Sequence, residues 1–157
     1  MPPHQFSNII VAVDGSENSE KAARVAIVLA KVLRARLTIA QVLESQGFLE
    51  MSEPAMSKTV ESVVEAHFAR LREKATQFCN TLVSTAREQG LDQVSMEILE
   101  LGSSHSAVET IIDFAEKKEA DLIVVGSRGL GTFRKLFIGS VSNGVVNHAH
   151  CSVLVVK

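Results

Sequence analysis

Short apolar runs alternate with longer amphipathic segments along the whole chain. The runs are Asn8–Val13, Leu37–Val42, Val94–Leu99, Leu122–Val125 and Ser152–Val156. The first, fourth and fifth are nearly continuous in Ile, Val and Leu, which is typical of parallel strands covered on both faces. The third run alternates more between apolar and polar residues, so we expect it nearer an edge of the sheet.

The segments between these runs carry apolar residues every three or four positions, which predicts helices. One stripe runs from Ala22 to Leu33 and a longer one from Val60 to Leu82. A Ser-x-x-Glu capping box at Ser106 begins a third helix, and a fourth is expected over about 140–148. Strands that alternate with helices predict βαβ units, right-handed crossovers and a parallel sheet.

The 157 residues are enough for one domain, which we expect to span 1–157. Residues 44–59 do not fit a minimal βαβ unit, because they have mixed polarity and include Gly47 and Pro54. We expect an exposed loop or flap there.

The most informative motif is Val124-Val125-Gly126-Ser127-Arg128-Gly129, followed by Gly139-Ser140-Val141-Ser142. A strand ends at a glycine turn, a basic loop follows, and a Gly-Ser step opens a helix. Glycine lets backbone N–H groups approach an anion, and a helix N-terminus adds unpaired N–H donors. The pattern predicts a phosphate site; the alternative is a surface loop that contains glycines by chance.

A second strand end carries Asp14, within Val11-Ala12-Val13-Asp14-Gly15-Ser16. If the two strands are neighbours, Asp14 and the glycine loop face one crevice, as ligand sites of open α/β sheets do. The Asp14 carboxylate could then accept a hydrogen bond from a ribose hydroxyl or hold a cation beside phosphates. The alternative is that Asp14 only shapes the turn while Ser16 caps the first helix.

The composition of the chain and the motifs that it lacks exclude several classes of function. The net charge of −2 and the absence of Trp and Tyr argue against nucleic-acid binding. Neither G-x-x-x-x-G-K-[ST] nor G-x-G-x-x-G after the first strand occurs, and no general base stands out.

Cys79 and Cys151 are expected to be structural thiols. The N-terminus has no signal-peptide pattern and no apolar run approaches a membrane span, so we expect a cytoplasmic protein.

Taken together, the Asp14 and Gly126 segments, the Gly139-Ser140 step and the ending Val145–Val156 make the chain resemble the universal stress protein family, in its ATP-binding branch. The resemblance covers essentially the whole chain and rests on the G-x2-G-x9-G-[ST] spacing. It implies a Rossmann-like fold of the adenine nucleotide alpha hydrolase type: an open five-stranded parallel sheet in the order 3-2-1-4-5 with helices on both faces. It also implies a homodimer through the last strand, 152–156.

The resemblance further implies which residues bind ATP, with Mg2+ or Mn2+ present. Those next to the nucleoside match Ala12, Val13, Asp14, Val42 and Val125, and those of the phosphate and ribose loop match Gly126, Arg128, Gly129, Gly139, Ser140, Val141 and Ser142. Asp14 is the candidate metal ligand. The chain departs from many relatives at Gln41, where they carry His, and at Cys151-Ser152, where they carry Cys-Pro.

The function predicted from the sequence is therefore that of an ATP-binding stress protein, a nucleotide-dependent switch or sensor with an unknown regulatory protein partner. Any hydrolysis should be slow, because no P-loop lysine or positioned base is evident. Two alternatives stay open: a nucleotide-free dimeric scaffold, and a genuine ATPase or nucleotidyl-transfer enzyme.

Overall fold

Five parallel strands in the order β3-β2-β1-β4-β5 form a single sheet in the part of the chain that can be described. The computed structural model describes residues 6–44, 58–101, 106–128 and 138–157. The strands are β1 Asn8–Val13, β2 Arg36–Leu43, β3 Val94–Glu100, β4 Leu122–Gly126 and β5 Ser152–Val156.

Four helices connect these strands within the described ranges: α1 Glu17–Leu33, α2 Lys58–Glu88, α3 Ala107–Lys117 and α4 Ser140–His148. Ser16 caps α1 by accepting from the Ser19 N–H, and the capping box of Ser106 and Glu109 is complete at α3. The α2 helix ends before Gly90, whose φ of +87° suits glycine. No helix in the described ranges has an apolar stretch long enough to cross a bilayer.

Side-chain alternation along the strands divides the core into two clusters. On one face, α1 and α2 pack over Val11, Ile39 and Val124. On the other, α3 and α4 pack over Ile10, Ala40 and their neighbours in the sheet. Since both faces are covered, β1 and β4 are apolar at nearly every position, as their near-continuous runs predicted, whereas β2 also buries Thr38 and Gln41.

The structure confirms the predicted α/β fold, strand order and edge position of β3. One boundary was wrong: α2 begins at Lys58, so Lys58 and Thr59 are helical and not part of the predicted 44–59 loop. Residues 45–57 lie outside the described residues. The extent of the domain over 1–157 stays a prediction.

The N-terminal half of α2 carries an apolar stripe that the described residues leave uncovered. Val60 is 45% exposed and Val63 is 63% exposed, and the first buried residue of the helix is Ala75. Helical spacing therefore predicted the helix correctly, but it could not show which turns reach the sheet. Only the C-terminal half of α2 contributes to the core.

We expect Ile39→Ala to lower the free energy of unfolding by about 2–5 kcal/mol, because Ile39 is fully buried in a central strand and its loss leaves a cavity. Val32→Ala is the control, since Val32 is 73% exposed on α1. It should change stability by less than about 0.5 kcal/mol. Urea unfolding measures both, and equal effects would contradict the assigned core.

Candidate functional site

The reversal of strand order places β1 and β4 side by side at the centre of the sheet. The chain runs from β1 outward to β2 and β3, then returns to β4 on the other side of β1. Ala12 pairs with Val125, so the turns that follow the two strands leave the same edge. Open α/β sheets bind ligands at this kind of reversal, beyond the carboxyl ends of the strands.

Asp14 organises the turn between β1 and α1. Its Oδ1 accepts from the Ser16 N–H at 2.9 Å, and its own N–H donates to Ser19 Oγ at 3.3 Å. Gly15 follows with a φ of +83°, a conformation that L side chains rarely adopt. Asp14 therefore shapes the turn, which was the alternative role predicted for it, and it also lines the cavity.

β4 ends at Gly126, where the first turn of α1 packs closely against the strand. A Cβ at this position would lie 2.9 Å from the carbonyl oxygen of Asn18 and 3.2 Å from the backbone nitrogen of Ser19. Real Cβ atoms do not approach backbone oxygens this closely. Glycine is therefore required at position 126 by packing, in addition to any ligand.

Two hydrogen bonds fix α4 beside the same strand end. The Ser142 hydroxyl donates to the carbonyl oxygen of Gly126, and the Gly139 N–H donates to the Ser127 carbonyl at 2.7 Å. Ser142 is buried, so this hydroxyl holds the helix in place against the end of β4. Ser140 is exposed and lines the cavity.

The N-terminus of α4 differs from those of α1 and α3 in having no side-chain cap. Its N-cap residue is Gly139, which has no side chain to accept from the first turn. Within the described residues, the N–H groups of Ser140, Val141 and Ser142 have no acceptor outside the helix. Three N–H groups at the positive end of a helix dipole are suited to an anion.

These features surround one cavity of about 970 Å³ at the carboxyl edge of the sheet. Eleven of the twelve residues predicted from the sequence line it: Ala12, Val13, Asp14, Val42, Val125, Gly126, Arg128, Gly139, Ser140, Val141 and Ser142. The twelfth, Gly129, lies outside the described residues, as do Gly131, Arg134 and Lys135 of the same segment.

The wall on the side of α2 was missed by sequence reasoning. It includes Gln41 and Leu43 of β2 and Leu71, Lys74 and Phe78 of α2. Apolar periodicity predicts that α2 packs somewhere, but not that one of its turns reaches past the sheet edge. Gln41 was the available signal, because a carboxamide in a buried strand needs a polar partner or a cavity.

Arg128 and Lys74 bring positive charge to the cavity from opposite sides. No cluster of three His, Cys, Asp or Glu side chains that could hold a metal occurs among the described residues. Both cysteines are free thiols. Burial raises the pKa of Cys79 to about 11, and burial followed by the charge of Asp121 raises the pKa of Cys151, so both thiols stay protonated at neutral pH.

A doubly covered parallel sheet with a cavity at its strand-order reversal, a glycine strand end and an uncapped helix defines a Rossmann-like α/β protein with a crevice at the carboxyl edge of its sheet. The model of the universal stress protein family matches residues 5–157, and the chain belongs to that family.

Individual relatives agree with this assignment. A curated universal stress protein of Staphylococcus aureus strain USA300 is 33% identical over 155 residues, which is 97% of this chain and 84% of the relative. The structure of UspA from Lactobacillus plantarum matches with a TM-score of 0.74 and 27% identity, covering 98% of this chain and 99% of that one.

A third relative shares the fold and was solved with a ligand. It is a universal stress protein from Archaeoglobus fulgidus in complex with dAMP, matching with a TM-score of 0.61 and 23% identity. The match covers 98% of this chain and 99% of that one.

We expect Gly126→Ala to destabilise the protein by about 1–3 kcal/mol, because the new Cβ meets backbone atoms of α1 and not a flexible side chain. Ser140→Ala is the control, since Ser140 is exposed and its hydroxyl makes no hydrogen bond within the described residues. Denaturant unfolding compares the two. Equal stability of Gly126→Ala and the parent would contradict the close approach of α1 to β4.

Proposed function

We propose that this protein binds an adenine nucleotide, with ATP as the expected ligand, and acts as a nucleotide-dependent switch in the cytoplasm. The observation that carries the proposal is that eleven of the twelve residues predicted from the sequence line one cavity. The cavity joins N–H donors and an arginine at one end to apolar strand ends at the other. The dAMP complex of the Archaeoglobus fulgidus relative supports the same class of ligand.

The phosphates would lie against the first turn of α4. Its three N–H groups without acceptors point out of the helix end, and Gly126 leaves the adjacent strand end without a side chain. Arg128 adds a cation whose planar guanidinium suits phosphate oxygens. The buried bond from Ser142 to Gly126 keeps the donors in place before any ligand arrives.

The nucleoside would lie across the ends of β4, β1 and β2. Val125, Ala12 and Val42 belong to the cluster under α3 and α4 and line the cavity with Ile111, which gives the base an apolar wall. Asp14 stands between the phosphate end and this wall, where a carboxylate can accept from a ribose hydroxyl.

A divalent cation fits this cavity only together with a nucleotide. Asp14 supplies carboxylate oxygen, but Mg2+ and Mn2+ prefer about six oxygen ligands. We infer that Mg2+ or Mn2+ arrives bound to the phosphates, with Asp14 as the protein group nearest to it. The ion would neutralise phosphate charge beside that carboxylate.

The switch would act through the two ends of the connection between β4 and α4. Ser127 donates to Val156 of β5 and accepts from Gly139, so both ends of the connection meet at one point of the sheet. Phosphates bound at Ser140 and Arg128 would contact both ends. A bound nucleotide would then change the conformation of the surface that a protein partner contacts.

The open edge of β5 supports the predicted homodimer, and with it the alternative of a dimeric scaffold. Residues Ser152–Val156 carry no charge. The opposite edge, β3, carries Glu97 and Glu100, which pair with Lys118 and Arg72. Charged side chains protect an edge strand from pairing, so the unprotected β5 is the edge suited to a second copy.

Ser140→Pro should weaken ATP binding by roughly tenfold or more, because it removes one N–H donor from the phosphate end. The fold should tolerate it, since proline suits the first helical position and Gly139 is already extended at φ −58° and ψ 157°. Isothermal titration calorimetry measures the change.

Ser140→Ala is the matched control for this variant, since it removes the hydroxyl and keeps the N–H. An unchanged dissociation constant for Ser140→Pro, with normal circular dichroism, would place the phosphates elsewhere. Absence of any heat with the unmodified protein, and no nucleotide released on its denaturation, would favour the scaffold alternative.

Val155→Lys should convert dimers into monomers, because a charge on β5 opposes pairing of that edge. Ile98→Lys on β3 is the matched control, since both positions are partly buried residues of an edge strand. Analytical ultracentrifugation reports the oligomeric state. A Val155→Lys variant that remained dimeric, or an Ile98→Lys variant that dissociated, would contradict a β5 interface.

A further inference from the structure

The cavity also extends to the sheet face that the proposed nucleotide site does not use. The apolar wall assigned to the base belongs to the core cluster under α3 and α4. On the other face, the side chains of β2 and α2 that line the cavity form what we call the α2 compartment. Its residues are Gln41, Leu43, Leu71, Lys74, Ala75 and Phe78.

The wall that α2 contributes to this compartment is mainly apolar. Leu71, Ala75 and Phe78 are spaced by four and three positions, so they share one face of the helix. Ala75 is buried, Phe78 is half-buried against the core cluster under α1 and α2, and Leu71 is 38% exposed. A hydrocarbon group that contacted these side chains would be removed from water, which favours binding.

Gln41 is the buried polar group of the compartment. Only 9% of its surface is exposed, and its Oε1 accepts from the Cys79 thiol at 3.8 Å. Its side chain makes no other hydrogen bond within the described ranges, although a carboxamide has two donors and two acceptor sites. Because a thiol can donate or accept, it permits either orientation of the carboxamide. Gln41 can therefore turn its NH2 group toward an anionic ligand.

Lys74 brings a positive charge to the same compartment. It is exposed, it lines the cavity, and it forms no ion pair with any residue that the structure describes. By contrast, Arg72 on the same turn of α2 pairs with Glu100. A lysine stem can lie along apolar side chains while its ammonium group stays in water. Lys74 is thus suited to an anion at the opening of an apolar compartment.

This anion would be separate from the phosphates of the nucleotide. The first turn of α4, where the phosphates are proposed to bind, lies beside β4, and α4 packs on the face opposite α2. β2 is two strands from β4 in the order β2-β1-β4. Since neighbouring strands are about 4.8 Å apart, roughly 10 Å of sheet separates the two positions.

We propose that the α2 compartment binds a small apolar carboxylate in addition to the nucleotide. The hydrocarbon part would contact Leu43, Leu71 and Phe78, and the carboxylate would pair with Lys74 and accept from the Gln41 carboxamide. One cation and one neutral hydrogen-bonding group match a single carboxylate, whereas phosphates are typically bound by several N–H donors. The inference does not require the nucleotide, because the two ligands would contact opposite faces of the sheet.

Glu44 provides a test of the sign of the ligand's charge. It is exposed at the end of β2 and lines the cavity next to Leu43. A carboxylate at this position disfavours an anion and favours a cation. If the ligand is a carboxylate, removing the charge of Glu44 strengthens binding and removing the charge of Lys74 weakens it.

The experiment is calorimetric titration of the full chain with octanoate, kept below its micellar concentration. We expect saturable binding that Lys74→Gln weakens by roughly threefold and Glu44→Gln strengthens by about twofold, since exposed charges interact weakly. Gln41→Leu should weaken it by about fivefold, because it removes the buried hydrogen-bonding group. Lys58→Gln, which removes an exposed charge from the first turn of α2, is the control and should match the parent.

Two further comparisons define the ligand class and the location. Octanol and octylammonium have the same hydrocarbon chain without the negative charge, so both should bind more weakly than octanoate. Saturating ATP should change the octanoate affinity by no more than about twofold, because the coupling between ligands on opposite faces is small. Leu71→Asn should weaken octanoate binding, whereas Val63→Ser, on the exposed part of the same helix, should leave it unchanged.

Several results would overturn the inference. Absence of octanoate binding would do so and would leave the nucleotide site untouched. Octanol binding as tight as octanoate binding would contradict a carboxylate ligand, and competition between ATP and octanoate would place octanoate in the nucleotide site. Equal losses for Leu71→Asn and Val63→Ser would indicate non-specific adsorption to α2. If Gln41→Leu fails to fold, the opposite effects expected for Lys74→Gln and Glu44→Gln decide, since both positions are exposed.

Discussion

The contact on which the site depends is the crowded end of β4 at Gly126. The backbone of α1 comes close enough at Asn18 to exclude a Cβ, and the Ser142 hydroxyl of α4 bonds to the carbonyl oxygen of the same glycine. Two helices from opposite faces of the sheet therefore meet at one residue. This meeting sets the position of the Asp14 turn on one side and of the open α4 terminus on the other.

The cavity is polar along only part of its wall because one of the helix N-termini beside it is uncapped. Helix caps satisfy the first turns of α1 and α3 through Ser16, Ser106 and Glu109. The α4 helix lacks such a cap, and its donors face the cavity that the strand-order reversal opens. The strand ends beyond it are apolar because they continue the two core clusters. A ligand that is anionic at one end and flat and apolar at the other suits this arrangement.

The sequence predicted most of the fold, because buried parallel strands and capped helices leave strong local signals. The five strands were placed to within a residue at each end, and the capping box at Ser106 was confirmed. The strand order followed from the family resemblance. The loop boundary at Lys58 was wrong because helix starts without a capping signal are poorly marked in a sequence.

The residues of the candidate site were predictable only where they belong to a short motif that is visible in the local sequence. Asp14 and the segments around Gly126 and Gly139 carry turn and glycine signals that point to the strand ends. Ser142 was assigned to the ligand, yet its hydroxyl bonds to Gly126, and that use depends on how α4 docks. The wall on the side of α2 was missed because it joins distant segments: the thiol of Cys79 on α2 donates to Oε1 of Gln41 on β2, 38 positions earlier, and only the packing of α2 on β2 brings them together.

We propose that the first turn of α4 binds the phosphates of an adenine nucleotide, and the whole function depends on this contact. The most direct measurement is an NMR titration of isotope-labelled protein with ATP that follows the backbone amides of Ser140, Val141 and Ser142. We expect these three resonances to shift saturably, while Val108 and Glu109 in the capped first turn of α3 shift less. Saturation of ATP binding with no change at the α4 amides would mean that the phosphates bind elsewhere.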